Sequence, residues 1–330
     1  MFDSQNGRGK ELEAYNLLKA YHLRAIDNET TQIHITNEKK EIDRQWETAV
    51  LMKTYGADYP LLKYLVNELY RIRQWSRQKR GLPFSKAKIK EFKGIQFDKS
   101  QLSLPLHNHS FLLYMYLNET LNVAHRSSAG DNGQNPFVFI NMDIINGKVF
   151  FSYIQTYVSS YNYLFKSKIN EINPLNQFRK DFDKYCLKYD GAYRTGDTYV
   201  REVYVALVLA MYDRFGEEYV ARWYKILYAI AYRKRLEYES VFYSTIADYP
   251  IPYFGIIASA IDALGLEPLI NESLKSIDCK KLGRREYEIA KFIVKNGTEI
   301  KAVKNNLTVG DRKFEIGDNI TKEFFEDGEM

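Results

Sequence analysis

The sequence predicts a mainly α-helical protein, a multi-helix two-lobed bundle with a small C-terminal β-hairpin. Only 18 Gly and 8 Pro occur in 330 residues, too few turn residues for an all-β sandwich. Apolar residues recur at helical spacing through most of the chain. The 27 Tyr and 19 Phe supply large areas for burial, and each tyrosine also carries a polar tip. We therefore expect tyrosine side chains to pack between helices and their hydroxyl groups to form hydrogen bonds that complete these contacts.

The bulk composition is that of a globular protein, with 45% hydrophobic and 27% charged residues. The net charge of +5 is too small to indicate a nucleic-acid partner by itself. Cys186 and Cys279 are far apart and lack metal-ligand spacing, which favours two thiols in a reducing cytosol. No run approaches the ~18 apolar residues of a membrane span, and the first residues lack signal-peptide features. These observations predict a cytoplasmic protein without membrane or metal.

Helical periodicity and turn signals divide the chain into predicted segments. The expected helices cover residues 10–27, 38 onward, 60–77, 110–124, 147–168, 198–215, 217–235 and 254–264. The loop-like stretch Ser127–Asn135 separates an N-terminal helical lobe, 1–126, from a C-terminal helical lobe, 136–294. Residues 295–330 are predicted to form a small β element, with strands in Thr298–Val303 and Arg312–Ile316, and an acidic tail.

The clearest supersecondary signal is an antiparallel helical hairpin around Gly216. Gly216 suits the position after a helix end, and Glu217 and Glu218 suit the first turn of the next helix. The basic run Arg233–Arg235 is expected to satisfy the last carbonyls of that helix and to pair with Glu237 or Glu239.

The opening residues carry a family resemblance. Phe2 to Leu12 reads Phe-Asp-Ser-Gln-Asn-Gly-Arg-Gly-Lys-Glu-Leu, and Leu17 to Arg24 reads Leu-Leu-Lys-Ala-Tyr-His-Leu-Arg. These residues resemble a motif of the GmrSD-type modification-dependent restriction endonuclease family. The later stretches Tyr199–Glu202, Phe215-Gly216 and Arg235–Val241 look like the helical part of the same proteins.

The resemblance implies a helical part that follows a ParB/sulfiredoxin-like nucleotide-hydrolysing domain. The family's Asp-Gly-Gln-Gln-Arg box comes before the matched motif, and only Met1 precedes that motif here. A downstream His-metal-finger nuclease is also missing, and the adjacent letters His107-Asn108-His109 do not replace it. We expect a chain that is not catalytic alone. Either it acts with a nucleotide-binding partner protein that supplies the absent domain, as one half of a split protein would, or it is the truncated remnant of a longer one.

A first candidate site lies at the front of the chain, in Asn6, Arg8, Gly9 and Lys10. Glycines let backbone amides approach an anion, Arg and Lys add charge, and the following helix N-terminus adds its dipole. The resemblance implies that Asn6 and Arg8 border a nucleotide pocket that is completed with the partner. The alternative is that the glycines only shape a turn and that Arg8 is solvated.

A second candidate site is a basic stretch with interleaved aromatic residues. Its predicted nucleic-acid-binding residues are Arg71, Arg73, Arg77, Lys79, Arg80, Lys86 and Lys88, and the stretch continues through Lys90 and Lys93. Cations neutralise phosphates, and aromatic faces such as Tyr70, Trp75, Phe84 and Phe92 stack on bases. The rival interpretation is a solvated helix end whose aromatic residues belong to the core.

The function hypothesis is a regulatory or DNA-sensing helical portion of a GmrSD-like restriction or antiphage defence protein. Two alternatives stay open: a free-standing nucleic-acid-binding module that uses the basic stretch, and a structural protein–protein interaction domain. The isolated chain is expected to carry no cofactor, with a nucleotide only in the presence of a partner.

Overall fold

A computed structural model describes residues 12–26, 32–55, 59–95, 140–167, 173–280, 282–301, 307–309, 312–314 and 320. The predicted mainly helical fold is confirmed. Its α-helices are α1 Ala14–Ile26, α2 Gln32–Leu51, α3 Leu61–Ser76, α4 Lys90–Lys93, α5 Lys148–Lys166, α6 Asn176–Phe182, α7 Thr195–Phe215, α8 Glu217–Glu237, α9 Tyr243–Asp248, α10 Ile251–Ser259, α11 Glu267–Leu274 and α12 Arg284–Lys295. Short 3₁₀ turns lie at Lys86–Lys88 and Leu264–Leu266, and a π turn at Asp183–Leu187.

The described strands are short and lie toward the C-terminus. Strands β1 (Ile277–Asp278) and β2 (Ile300–Lys301) pair in parallel, and β3 (Leu307–Val309) and β4 (Arg312–Phe314) form the predicted hairpin. Its first strand lies at Leu307–Val309 rather than in Thr298–Val303, because Ile300 and Lys301 of that stretch pair with β1 instead. No helix in the described ranges is both long and apolar enough to cross a bilayer.

The chain divides into two compact units whose bounds differ from the predicted lobes. The first unit is Met1–Arg71 with Pro83–Lys166, and the second is Ile72–Leu82 with Ser167–Met330. Helix α5, predicted to open the C-terminal lobe, belongs to the first unit because its N-terminal phenylalanines contact side chains of α1 and α2. Such contacts between distant segments leave no local signal in the sequence.

The core of the first unit is aromatic and surrounds the buried His22. The imidazole stacks on Phe150 with ring centroids 3.6 Å apart. Its Nε2–H donates to the Phe92 carbonyl at 2.8 Å, and its Nδ1 accepts the Gly147 N–H at 3.3 Å. One ring nitrogen therefore donates and the other accepts, which is the pattern of the neutral imidazole. Through these contacts His22 joins three separate segments of the first unit.

Burial lowers the pKa of His22 from 6.5 to about 3, although the hydrogen bond to Phe92 opposes that shift. The unfolded chain therefore binds more protons below pH 6.5, and stability falls as the pH drops from 6.5 toward 3. In urea unfolding, the stability advantage of wild type over a His22→Gln variant should shrink by about 2 kcal/mol between pH 7 and pH 5. An advantage that stays constant over this range would contradict the buried neutral imidazole.

The second unit is built on the predicted helical hairpin, α7 and α8. Gly216 joins the two helices with a positive φ of 82°, the conformation that favours glycine. Facing tyrosines fill the contact: the Tyr204 ring lies edge-on to Tyr228, and its hydroxyl donates to the Tyr224 carbonyl at 3.2 Å. The expected completion of helix contacts by tyrosine hydroxyls is therefore confirmed here.

Helix α3 ends in a turn that is fixed by several contacts within the second unit. Gln78 has a positive φ of 58°, its N–H donates to the Trp75 carbonyl, and the Lys79 N–H donates to the Gln74 carbonyl. This double hydrogen bond is the Schellman arrangement, here with glutamine in the position that usually holds glycine. The Trp75 indole and the Gly81 N–H both donate to the Ala247 carbonyl, at 2.8 and 2.9 Å.

Candidate nucleic-acid interface

The front candidate site, Asn6, Arg8, Gly9 and Lys10, lies outside the described residues, as does His107-Asn108-His109. The proposed anion cradle therefore stays a prediction. In the described part of the chain, no cluster of three or more His, Cys, Asp or Glu side chains is placed to hold a metal ion.

Burial corrects the predicted basic set at its N-terminal end. Arg71 is fully buried, and its Nη1 forms an ion pair with Glu68 at 3.0 Å in which both side chains are almost inaccessible. Arg73 is 2% exposed. A guanidinium inside the protein cannot neutralise a phosphate outside it, so these two arginines are not contact residues for a nucleic acid. The sequence alone did not indicate this burial, because arginine and lysine usually lie on exposed helix faces, with an apolar stem along the surface and the charged head in water.

The next three cations lie at the turn that follows α3, in the second unit. Lys79 and Arg80 are exposed, and Arg77 is half-buried. The Arg80 Nε pairs with the Asp248 carboxylate at 2.7 Å, and both side chains are more than half exposed. A partly neutralised arginine and one neighbouring lysine make a weak site for a polyanion by themselves.

Within the described part of the predicted basic stretch, most of the exposed cations lie in residues 86–93 of the first unit, which we call the lysine turn. Its backbone is helical from the 3₁₀ turn through Ile89 into α4, and Gly94 ends it with a φ of 71°. Lys86, Lys88 and Lys90 are exposed, and Lys93 is half-exposed. At spacings of four and three residues, Lys86, Lys90 and Lys93 share one face of the turn.

The other face of the lysine turn is anchored in the aromatic core. Phe92 is fully buried, with ring centroids 5.4 Å from Phe84 and 6.4 Å from Phe150. Its carbonyl accepts the hydrogen bond from the His22 imidazole. The lysines are therefore presented by a backbone held at its centre rather than by a free loop.

Helix α1 adds to this surface in a way that the sequence alone did not indicate. The Lys93 Nζ lies 4.9 Å from the centre of the Tyr21 ring. Arg24 is exposed one helical turn beyond Tyr21, on the same side of α1. Four lysines and one arginine thus lie on two adjacent elements, with Glu91 as the acid within the turn. Such a surface is suited to phosphate groups.

The second unit contains the strongest electrostatic cluster among the described residues, but it is buried. Asp197 and Glu286, 1% and 2% exposed, face Arg194 and Arg235. The Arg194 Nε lies 2.7 Å from the Asp197 carboxylate, and the Arg235 Nη2 lies 3.1 Å from that of Glu286. The Tyr189 hydroxyl donates to Asp197 at 2.5 Å. We call these four charged residues the buried ion cluster; its two positive and two negative charges balance, and Arg194 is its most exposed member.

The predicted basic run at the end of α8 is divided between two environments. Arg233 and Lys234 pair with Glu237 at 2.8 and 2.6 Å, and Arg233 also donates to the Glu272 carbonyl, so the expected pairing is confirmed. Arg235 differs because its side chain reaches the buried ion cluster, while its Nη1 donates to the carbonyls of Tyr238 and Glu239.

The fold and this surface define a helical protein with an exposed basic face. A family model matches residues 38–284, which is most of the chain, and the chain belongs to that family, the family of unknown function DUF7834. No curated protein and no solved structure matches it.

Proposed function

We propose that this chain is the helical, DNA-sensing portion of a GmrSD-like defence protein, and that a nucleotide-binding partner protein supplies the catalytic box. The single observation that carries the nucleic-acid part is the exposed lysine turn with its buried anchor at Phe92. The link to a defence system rests on the opening motif, Phe2–Leu12 and Leu17–Arg24, and on its resemblance to that family.

The charge pattern supports binding to phosphates rather than recognition of base sequence. Flexible lysine side chains act as point charges, without the planar fork by which arginine reads guanine. Their contacts give affinity that is independent of sequence and depends strongly on salt. We therefore expect this chain to hold DNA while a partner carries out the chemistry.

The variant Lys86→Gln/Lys88→Gln/Lys90→Gln tests this proposal directly. Each lost phosphate contact weakens binding by somewhat less than tenfold near 0.1 M salt, so the triple variant should bind DNA roughly 500- to 1000-fold more weakly. Fluorescence anisotropy with a labelled duplex measures the change. The matched control is Lys40→Gln/Lys180→Gln/Lys225→Gln, which removes the same charge from exposed positions elsewhere. Equal weakening by both variants, or by neither, would overturn the proposal.

The partner is tested by co-expression with a candidate nucleotide-binding protein that carries the family's Asp-Gly-Gln-Gln-Arg box. We expect a stable complex and nucleotide hydrolysis by the pair. DNA binding that no such partner changes would favour the free-standing module, and a stable complex that binds no DNA would favour the interaction domain.

A further inference from the structure

His22 belongs to the Leu17–Arg24 part of the opening motif, but it is fully buried and cannot itself contact a nucleic acid. Its ring is held against α5, stacked on Phe150 and edge-on to Phe151 with ring centroids 6.2 Å apart. A buried polar side chain is favourable only through the hydrogen bonds that it forms. The role of His22 therefore lies in the groups that its two ring nitrogens contact.

The contact that depends most on His22 is the one with the main chain of the lysine turn. The Nε2–H donates to the Phe92 carbonyl at 2.8 Å, and the Nδ1 contact with the Gly147 N–H is longer, at 3.3 Å. The Gly147 N–H also donates to the Asn146 side-chain oxygen at 2.8 Å. If the imidazole is removed, Gly147 keeps that acceptor, whereas the Phe92 carbonyl loses its imidazole donor.

The C-terminal end of the lysine turn is held by a separate set of backbone contacts. The Ile95 N–H donates to the Ile144 carbonyl at 2.8 Å. Gly94 lies so close to the same segment that an added Cβ would be 2.6 Å from the Ile144 carbonyl oxygen. The turn is thus fixed at its end by backbone pairing, and at its centre by the buried Phe92 ring and the His22 imidazole.

The two central contacts fix different properties of the turn. The buried Phe92 ring fixes its position, while a hydrogen bond to the carbonyl also fixes the orientation of the peptide group, because the donor lies near the carbonyl plane. That peptide group leads directly into Lys93. We propose that His22 is a positioning residue for DNA binding, which through the Phe92 carbonyl holds the lysine turn in the orientation that presents Lys90 and Lys93 to phosphate groups. This inference rests on the proposed function.

The variant His22→Leu tests the inference, because leucine is apolar and donates no side-chain hydrogen bond. It should bind labelled duplex DNA roughly three- to tenfold more weakly than wild type, the affinity equivalent of one hydrogen bond. The salt dependence should keep the wild-type slope because every cation remains, whereas Lys93→Gln should reduce the slope by about 0.9. His22→Gln should restore most of the affinity, since the glutamine amide can donate to the Phe92 carbonyl.

The control for lost stability is Leu62→Ala, which creates a cavity in the core of the first unit at the start of α3. Leu62 lies about 12 Å along the helix from Tyr70, the α3 residue whose ring contacts Phe84 and Phe92. Binding is measured at a temperature at which circular dichroism shows every variant to be folded. Leu62→Ala should keep the wild-type affinity, and equal affinities of His22→Leu and Leu62→Ala would overturn the inference.

Hydrogen exchange in the absence of DNA separates this inference from the proposed function. In His22→Leu, the backbone amides of the lysine turn should exchange faster than in wild type, His22→Gln and Leu62→Ala, because the turn opens more easily. Unchanged exchange in the turn would overturn the inference and leave DNA binding by the wild type intact. Absence of DNA binding by the wild type would instead overturn the proposed function, and the inference with it.

Discussion

The variant Asp197→Asn is expected to lower the free energy of unfolding by about 3–5 kcal/mol, because it leaves buried charge uncompensated. The Asp197 carboxylate contacts Arg194 at 2.7 Å and Arg235 at 3.2 Å, inside the second unit. In the variant, Glu286 is the one carboxylate of the cluster that remains, and it faces the guanidinium groups of both Arg194 and Arg235. Asparagine keeps the shape of the side chain, so loss of charge and not loss of volume is tested. Urea unfolding at neutral pH measures the effect.

The surface ion pair between Arg80 and Asp248 provides the control. Its distance, 2.7 Å, matches that of Arg194 and Asp197, but both of its side chains are more than half exposed. Solvent screens such a pair, so Asp248→Asn should cost no more than about 1 kcal/mol. Similar losses in the two variants would contradict the electrostatic account of the buried ion cluster.

The variant Trp75→Ala is the second change with a large expected effect, about 3–5 kcal/mol, which is typical of a large aromatic side chain removed from a core. Trp75 is fully buried, stacks on Phe254 with ring centroids 4.9 Å apart, and donates its indole N–H to Ala247. Trp75→Phe keeps much of the packing and loses the hydrogen bond. Its smaller loss, about 1 kcal/mol, separates the two contributions.

Gly81 supplies an internal check of the same geometry. A Cβ added there would lie 2.2 Å from the Trp75 ring, so Gly81→Ala should destabilise the wild type by about 1–3 kcal/mol through overpacking. In the Trp75→Ala background, the space is open and the same change should cost little. Additive effects in this double-mutant cycle would show that the two residues are not coupled as the structure has them.

The sequence predicted those parts of the fold whose signals are local. The helical hairpin was predictable because Gly216 interrupts two long apolar patterns and Glu217 and Glu218 follow it. Helix α3 was expected at 60–77 and covers Leu61–Ser76. The short helices α9 and α11 were not predicted, because six or eight residues give too few turns for a periodic pattern.

The candidate site was predicted in part, for a related reason. The lysine turn could be predicted because its cations follow one another closely in the sequence, where a high local density of charge is apparent without a structure. Burial of Arg71 and Arg73 and the approach of α1 to Lys93 depend on contacts between distant segments. The buried ion cluster brings residues 194, 197, 235 and 286 together, and no spacing in the sequence points to that association.

The most direct test of the proposed function is the salt dependence of DNA binding. The logarithm of the binding constant falls linearly with the logarithm of salt concentration, with a slope of about 0.9 for each phosphate neutralised. Removing Lys86, Lys88 and Lys90 should therefore reduce the slope by roughly 2.7, while the control without Lys40, Lys180 and Lys225 should keep the wild-type slope. An unchanged slope in the first variant would contradict a DNA-binding lysine turn.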